Sequence, residues 1–481
     1  MLLTISVILV FLTLSATIFR RFNLPLIILA LAIGIIFGSD VTGLVYFDDA
    51  VLTKRVADLA LVFVLFAGGY SIQRAELKPV LAPTMTLATL GVLMTIGITT
   101  IILRFVGGWD FSRSLLVAVV ISSTDASAVF SILKNHAVQR RPSSITEIES
   151  AANDPMAIVS TAFVVKFLSG AGIEAWRSVL ELLWQMGGGL GLGLAVGWAG
   201  SLLFRKIRDV ETGYYYLLLV GIILASYGVA DTVGASGMLS AFFAGYFLGN
   251  RKFPFKSSLS SFVSALSFMA NAGLFILLGL LMFPRSLGKV WGAGLLVFIA
   301  LSFVSRPITV FLCTAFRKIP LKEKVFISWS GMRASVPIVL ATYPLAAGLD
   351  PGHEILNIIF VAVCLSLLVQ GTSIGWLAGK LGLRVKKPLV PKQKMELVTV
   401  HETKYELVEV FVDPERYSGE RKLSELDLPA EANVTMIARK DRMLVPRGQT
   451  SIKPGDVLTL LVEQDKAEDA ASGVLAGFER I

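Results

Sequence analysis

The chain has 481 residues, of which 54% are hydrophobic and only 16% are charged, and its mean hydropathy is +0.72. Soluble proteins carry roughly a quarter charged residues, so this composition excludes an ordinary soluble protein and indicates a polytopic membrane protein. The formal net charge of +9 resides largely in loops between apolar segments, which argues against a nucleic-acid partner.

Thirteen apolar runs occur before residue 379, each close to the roughly 20 residues that a helix needs to cross a bilayer. They cover residues 2–19, 24–38, 56–70, 80–105, 113–134, 145–168, 179–204, 213–230, 235–249, 260–283, 290–316, 324–347 and 353–378. The first run has no preceding basic residue and no small-residue cleavage site, so we expect a retained helix rather than a signal peptide. The sequence therefore predicts an all-α membrane domain over residues 1–379.

Lys and Arg are unevenly distributed over the loops that join these runs. Alternate loops place 17 basic residues on one side and 7 on the other. Because cytoplasmic loops carry the excess of basic residues, the N-terminus is predicted to lie outside and the C-terminus in the cytoplasm. This pattern predicts the orientation of a multi-pass membrane protein, for which we expect the bacterial inner membrane as the location.

The fifth run contains a carboxylate among hydroxyl side chains, in Ile121-Ser-Ser-Thr-Asp-Ala-Ser-Ala-Val-Phe130. A charged group at bilayer depth costs about 3 kcal/mol or more, so Asp125 is a candidate functional residue. The hydroxyl groups compete for backbone hydrogen bonds and favour a broken helix, the element with which many secondary transporters bind cations. Thr124 and Asp125 are therefore predicted to bind a cation, with hydrogen bonding between helices as the alternative interpretation.

The sixth run contains Glu149, Asn153 and Asp154, whose spacings of four and five residues place them on one flank of a helix. Two carboxylates on one flank cannot both stay charged in a dry site without neutralising cations. Arg306 and Arg333 lie in later apolar segments and are both candidate partners. On this interpretation Asp154 is the exchangeable carboxylate and Glu149 the structural one.

These residues together resemble the monovalent cation:proton antiporter family of NhaP type, over essentially the whole membrane domain. The matching segments are Thr124-Asp125, Glu149-Ser-Ala-Ala-Asn153-Asp154, Arg306 and Gly331-Met-Arg333. Ala126 and Ala334 depart from the proline and the glycine that are common in this family. The resemblance implies a fold of NhaA/NhaP type, with inverted repeats, two broken helices and a homodimer.

The resemblance also implies a role for each site residue. Asp154 would bind a proton or a monovalent cation in turn, at a site that Thr124 and Asn153 help to shape. Glu149 would pair with Arg306. Asp125 and Arg333 would stabilise the crossing of the two broken helices. An Asn-Asp pair looks like that of the electroneutral class, which exchanges one proton for one cation.

A second domain follows a linker predicted at residues 380–397. Residues 398–481 alternate charged and apolar positions, with strands predicted at 405–412 and 457–462, a short helix at 422–428 and a turn at 453–456. The segments 438–448 and 452–458 resemble the TrkA C-terminal, or RCK C-terminal, domain of potassium-conductance regulators. That resemblance implies a dimeric cytosolic α+β domain that binds a regulatory ligand such as cyclic di-AMP. No Gly-rich phosphate loop precedes residue 398, so no NAD site is expected.

The sequence thus favours a regulated antiporter of monovalent cations and protons, with K⁺ as the leading cation and Na⁺ as the alternative. A potassium-regulator-like tail supports K⁺ only by association. A ligand-gated channel is a second class, but no Thr-Val-Gly-Tyr-Gly filter is present. An intramembrane aspartyl protease is a third, but no Gly-x-Gly-Asp motif surrounds Asp125 or Asp154, so no enzyme activity is expected.

Overall fold

The computed structural model describes residues 2–19, 26–47, 49–124, 138–170, 175–207, 211–251, 253–282, 284–350, 352–384, 405–412, 414, 417–426, 428–430, 432–439, 442–463, 466–476 and 478–480. Asp125, one of the predicted site residues, lies outside them, as does most of the predicted linker. The chain divides into two compact units: Met1–Arg251 with Phe262–Arg384, and Lys252–Ser261 with Val385–Ile481. The larger one is called the transporter unit below.

The transporter unit is helical throughout its described elements. Its helices, with those that continue into Lys252–Ser261, are α1 (Leu2–Phe19), α2 (Leu26–Phe37), α3 (Ala50–Ser71), α4 (Arg74–Thr86), α5 (Val92–Phe105), α6 (Phe111–Val120), α7 (Arg140–Leu168), α8 (Ala175–Lys206), α9 (Thr212–Thr232), α10 (Gly237–Gly249), α11 (Lys256–Leu280), α12 (Pro284–Ile299), α13 (Arg306–Cys313), α14 (Leu321–Ser330), α15 (Ser335–Ala346) and α16 (Glu354–Lys380). Two π-helical segments, Leu87–Gly91 and Ala300–Ser305, join α4 to α5 and α12 to α13.

Seven helical spans among the described residues are long and apolar enough to cross a membrane, and five shorter apolar helices accompany them. The seven are Pro79–Phe105, Arg141–Leu168, Leu183–Lys206, Thr212–Thr232, Ser258–Leu280, Leu287–Cys313 and Glu354–Lys380. Each of the predicted apolar runs overlaps at least one helix of the structure. The predicted all-α polytopic architecture is therefore confirmed.

Two of the shorter helices end at interruptions inside predicted apolar runs. Helix α6 ends at Val120, and Ser123 and Thr124 follow in non-helical backbone. Residues 331–334 separate α14 from α15, and Ala334 has φ −142° and ψ −103°. Each interruption frees main-chain groups that a continuous helix would use internally, so they become available to side chains or ligands.

Helices α3 and α10 pack closely because glycines line their contact. A Cβ atom at Gly69 would collide with the main-chain carbonyl of Phe242, and one at Gly245 with that of Phe66. Small residues allow such close approach between helices that hydrophobic burial alone does not hold together in lipid. Helices α8 and α9 also pack on α10, whereas α7 packs on α4 and α6. The α7 helix therefore packs mainly on α4 and α6, and its contacts with α3 and α10 are smaller.

The smaller unit contains an antiparallel sheet in the order β1-β7-β4-β5. Its elements are β1 (Tyr405–Phe411), β2 (Tyr417–Ser418), β3 (Arg421–Lys422), β4 (Asn433–Arg439), β5 (Arg442–Leu444), β6 (Ser451–Ile452), β7 (Asp456–Glu463), α17 (Ala467–Ala476) and β8 (Glu479–Arg480). The central pairing runs from Tyr405 opposite Glu463 to Phe411 opposite Val457. Apolar side chains of β1, β4 and β7 form a buried core with α17.

Three local predictions for this unit have different outcomes. The strands predicted at 405–412 and 457–462 are confirmed as β1 and β7, and the turn at 453–456 is closed by Asp456 N donating to Lys453 O over 3.0 Å. The helix predicted at 422–428 is wrong beyond a single 3₁₀ turn at Leu423–Glu425. The reason is that Leu426 N donates to Leu423 O over 3.3 Å and Leu428 N donates to Leu426 O over 3.1 Å, so the chain closes one tight turn instead of forming the i→i−4 bonds of an α-helix.

Candidate functional site

The centre of the transporter unit contains a row of polar side chains on α7. Glu149, Ser150, Asn153 and Asp154 are all buried, and the sequence predicted a shared flank for all of them except Ser150. Pro155 follows inside the same helix and lacks an N–H, so the Ala151 carbonyl loses its usual helical donor. The α7 helix thus presents two carboxylates, an amide and a hydroxyl within about two turns.

The interruption after α6 meets this row of polar groups. Thr124 Oγ1 donates to Ser150 Oγ over 2.9 Å and accepts from Asn153 Nδ2 over 2.6 Å. Thr124 N lies 3.4 Å from Asn153 Oδ1, so main chain and side chain of Thr124 both contact the same amide. The Ser123 hydroxyl donates to Asp154 Oδ1. The non-helical segment is therefore joined to α7 by four contacts at the level of the predicted exchangeable acid.

Glu149 and Arg306 form a buried ion pair behind this layer. The Arg306 Nη1 and Nη2 atoms donate to Glu149 Oε1 and Oε2 over 3.0 and 2.6 Å, and the two side chains are 3% and 0% exposed. A side chain at Gly331 would collide with the guanidinium group, so only glycine fits there. The Asn153 amide also donates to Glu149 Oε1 over 2.9 Å. The pair of Glu149 with Arg306 is confirmed, and it is linked to the site through Asn153.

The second candidate arginine has a different role. The Arg333 guanidinium donates to the Ile121 carbonyl over 3.2 Å, to the Ser122 carbonyl at 3.4 Å and to the Gly331 carbonyl. These carbonyls follow the C-terminal ends of α6 and α14, where helix dipoles concentrate partial negative charge. The Arg333 main-chain N–H donates to Ser366 Oγ on α16 over 3.0 Å. One buried cation thus joins both interruptions.

The structure brings six of the seven predicted site residues close to the two interruptions. Hydrogen bonds through Ser123 and Asn153 link five of them, and Arg333 donates to the main-chain carbonyls that precede Ser123. The six are Thr124, Glu149, Asn153, Asp154, Arg306 and Arg333. The seventh, Asp125, lies outside the described residues. Sequence reasoning did not single out Ser150 or Ser366, and it treated Ser123 only as one of several serines. Ser150 has a sequence signal, since it precedes Asp154 by four residues and so shares its helix face.

The network offers oxygen atoms of the kind that bind hard monovalent cations. Around Asp154 lie the carboxylate itself, the hydroxyls of Ser123 and Thr124, and the Asn153 amide oxygen. No group of three or more His, Cys, Asp or Glu residues suited to a metal ion occurs within the part of the chain that the structure describes. Soft thiolate and imidazole ligands are thus absent from the described site, whereas hard oxygen ligands are abundant.

A helical membrane bundle with two interrupted helices and a buried carboxylate network defines an ion transporter of the secondary active class. The sequence pattern of the family described as "Sodium/hydrogen exchanger, transmembrane" matches residues 7–380, and that of the TrkA-C domain matches residues 407–472. The chain therefore belongs to the sodium/hydrogen exchanger family, whose members are membrane transporters.

Three relatives of the chain carry functional names. It is 31% identical over 461 residues to the K(+)/H(+) antiporter NhaP2 of Shewanella sp. strain ANA-3, covering 95% of this chain and 80% of that protein. It is 30% identical over 478 residues to the K(+)/H(+) antiporter NhaP of Alkalimonas amylolytica, covering 98% and 82%. It is 27% identical over 369 residues to the Na(+)/H(+) antiporter NhaS2 of Synechocystis, covering 74% and 67%.

The fold is also similar to that of a solved transporter. The sodium proton antiporter MjNhaP1 from Methanocaldococcus jannaschii at pH 8 matches with a TM-score of 0.70, over 78% of this chain and 97% of that one. The two sequences are 24% identical, so this similarity supports the shared fold. The expected NhaP-type architecture is therefore confirmed for the transporter unit.

Proposed function

We propose that the protein is a secondary active antiporter that exchanges a monovalent cation for a proton at Asp154. The observation that carries this proposal is the position of Asp154, 5% exposed, where the interruption after α6 meets α7. A buried carboxylate is stable either with a proton or with a cation beside it, because its bare charged form is penalised by desolvation. Family membership and the names of the relatives support the same function.

Competition for this carboxylate makes the exchange obligatory. A proton on Asp154 removes the charge that attracts a cation, and a bound cation replaces the proton. The Ser123 hydroxyl and the oxygens of Thr124 and Asn153 would replace part of the water shell that the cation loses. Glu149 would not compete for the cation, because Arg306 already neutralises it. Such an arrangement fits the electroneutral exchange of one proton for one cation.

K⁺ is the favoured substrate. Two relatives at 30–31% identity, each aligned with at least 95% of this chain, are K(+)/H(+) antiporters. Na⁺ is the second candidate, because NhaS2 is an Na(+)/H(+) antiporter and MjNhaP1 is a sodium proton antiporter. Carboxylate and hydroxyl oxygens bind both ions, so direct transport measurements must separate them.

The proposed setting is the bacterial cytoplasmic membrane, with the N-terminus outside and the smaller unit in the cytoplasm. The excess of basic residues in alternate loops supports this orientation. We propose a homodimer, in which the bundle that contains α7 moves against a scaffold that contains α3 and α10. The protein would therefore be a transporter without enzyme activity, and its partners would be K⁺ or Na⁺, H⁺ and the lipid bilayer.

The test is proton flux into vesicles that contain the purified full-length chain and a pH-sensitive dye. K⁺, Na⁺ or Rb⁺ is added outside, and the native chain is compared with Asp154→Asn. We expect cation-dependent, saturable flux that favours K⁺ and that falls to the protein-free level in Asp154→Asn. The matched control is Asp231→Asn, an acid-to-amide change at an exposed position near the end of α9, which should keep native flux.

Two results would contradict the proposal. Cation-dependent flux that persists in Asp154→Asn would exclude this residue as the exchanged carboxylate. Flux that does not saturate and follows the electrical gradient alone would indicate a channel rather than an antiporter.

The smaller unit is proposed to regulate transport as a dimeric TrkA-C domain. Its match to the TrkA-C domain at residues 407–472 supports this assignment. The proposed ligand is a regulatory nucleotide such as cyclic di-AMP, and we do not expect this unit to bind NAD. Calorimetric titration of the full-length chain with cyclic di-AMP tests the binding. Deletion of residues 398–481 should leave flux intact but remove its response to the nucleotide. Unchanged regulation after deletion would contradict this role.

A further inference from the structure

A cavity at the basic end of the transporter unit lies apart from the Asp154 network. It has a volume of about 330 Å³ and is bounded by α4, by the start of α7 and by the loop between α13 and α14. Its lining residues are Pro79, Leu81, Ala82, Pro83, Arg141, Arg317, Lys318 and Ile319. None of these residues belongs to the proposed exchange site. Five of them are apolar and form what we call the apolar half of the lining, and the two arginines and the lysine form the cationic half.

The cationic half carries more positive charge than its surroundings neutralise. Arg141 Nε lies 3.7 Å from Glu323 Oε2, and Arg141 Nη2 donates to the Lys318 carbonyl over 3.2 Å. Arg317 and Lys318 are exposed and form no ion pair with any carboxylate in the described part of the chain. Three cations thus face one carboxylate. Two guanidinium groups and an ammonium group are well suited to a phosphate oxyanion.

The first turn of α7 adds to this positive potential. Its N-cap residue, Gln139, makes no side-chain capping hydrogen bond. The N-terminal end of a helix carries about half a positive charge, which favours an anion nearby. This contribution reinforces the cationic side chains and does not define the site by itself.

The apolar half distinguishes a lipid from a free anion. Leu81 is 44% exposed, Phe316 is fully exposed beside Arg317, and Leu321 is 65% exposed just after the lining loop. Exposed apolar and aromatic side chains next to basic ones are typical of the membrane interface, where acyl chains and headgroups meet. A free phosphate would use only the cationic half, whereas a phospholipid would cover both.

We propose that this cavity binds the phosphate of an anionic phospholipid, with its acyl chains along the apolar wall of α4. Arg317, Lys318 and Arg141 would contact the phosphate, and Leu81 and Phe316 would contact the chains. Basic pockets between membrane helices on the cytoplasmic side are suited to anionic headgroups. The lipid would join the middle of α4 and the start of α7 to the loop between α13 and α14, and so stabilise the helices that carry the exchange site.

Lipid binding to the full-length chain in detergent tests this proposal without relying on transport. Phosphatidylglycerol or phosphatidylcholine is added, the midpoint of thermal unfolding is measured, and native mass spectrometry counts the lipids retained. Phosphatidylglycerol should raise the midpoint of the native chain, since a ligand that binds only the folded state stabilises it. The double variant Arg317→Gln/Lys318→Gln should retain phosphatidylglycerol about tenfold more weakly, as expected for the loss of about 1.4 kcal/mol.

The matched control is Lys206→Gln/Lys322→Gln, which removes the same charge from exposed positions outside the cavity. It should respond to phosphatidylglycerol like the native chain. An equal response from both double variants would overturn the assignment to this cavity. A midpoint shift produced by inorganic phosphate alone would contradict the proposal that the ligand is a lipid, and would indicate a free anion instead. If phosphatidylcholine raised the midpoint as much as phosphatidylglycerol, the negative charge of the headgroup would not determine binding.

Discussion

Two arginines are buried in the same helical unit, yet their guanidinium groups are neutralised in different ways. Arg306 has a full charge partner, because both Nη atoms donate to the Glu149 carboxylate. Arg333 donates only to main-chain carbonyl groups among the residues that the structure describes. Arg306 therefore pairs with a side chain, whereas Arg333 binds the carbonyl groups at the ends of two interrupted helices.

The difference bears on the exchange that we propose at Asp154. Both oxygens of the Glu149 carboxylate accept from Arg306, so Glu149 is a less suitable ligand for a cation than Asp154. The carbonyl groups near Arg333 carry only partial charge, and the arginine allows two C-terminal helix ends to approach each other. On the proposed function, Arg306 would leave Asp154 as the acid available for exchange, and Arg333 would set the shape of the crossing.

The largest expected effect comes from breaking the pair of full charges. Arg306→Leu leaves the Glu149 carboxylate buried without its partner, which should destabilise the protein by about 3–5 kcal/mol. The midpoint of thermal unfolding in detergent measures this loss. The double variant Arg306→Leu/Glu149→Leu removes both charges and should recover much of the stability. A double variant no more stable than Arg306→Leu would show that packing rather than charge dominates.

A smaller effect on stability is expected from the second arginine. Arg333→Gln keeps a donor but loses the charge-assisted hydrogen bonds to the carbonyls, which should cost about 1.5–3 kcal/mol. Because these carbonyls position the segment before Thr124, the maximal rate of proton flux should fall at least tenfold in the folded protein. Arg333→Lys should recover little activity, because an ammonium lacks the planar fork of donors. Native flux in a stable Arg333→Gln variant would disprove a role in shaping the crossing.

The sequence correctly predicted the membrane helices and the group of polar side chains on one flank of α7. Periodicity places Glu149, Asn153 and Asp154 together, because the helix fixes residues four and five apart on one face. The residues alone left both Arg306 and Arg333 as partners of these acids. Only the packing of segments more than 150 residues apart assigns Arg306 to the carboxylate. The resemblance to a known family made the same assignment, without the geometry behind it.

Contacts made at the helix interruptions were the least predictable. Ser123 donates to Asp154 only because non-helical backbone after α6 lies against α7. The Ser366 hydroxyl accepts from the main-chain N–H of Arg333, which any residue except proline would supply at position 333. A pattern of side-chain types carries no signal for such a contact. The same limit explains the incorrect helix at residues 422–428, where the chain closes only one 3₁₀ turn against a neighbouring loop.

The next prediction concerns Asn153, which links the Arg306 pair to the exchange site. Asn153→Ala removes donors to Glu149 and Thr124 but leaves both arginines with their partners. An unsatisfied buried polar group costs about 1–3 kcal/mol, so the apparent cation affinity should fall about tenfold. The cation concentration that gives half-maximal proton flux measures the change. A lower maximal rate with unchanged affinity would mean that Asn153 acts on the motion and not on the site.

The smallest expected effect separates the two contacts of Arg333. Ser366→Ala removes the acceptor for the Arg333 main-chain N–H and the donor to Gln370 Oε1, but leaves the guanidinium and its carbonyl partners in place. We expect a loss of about 1 kcal/mol of stability, measured by thermal unfolding, with flux within twofold of native. Thr372→Ala is the control on the same helix, because its hydroxyl is exposed and bonds only to its own turn. If Ser366→Ala lowered flux at least tenfold, as Arg333→Gln is expected to do, the main-chain contact, rather than the charge between two helix ends, would be what shapes the crossing.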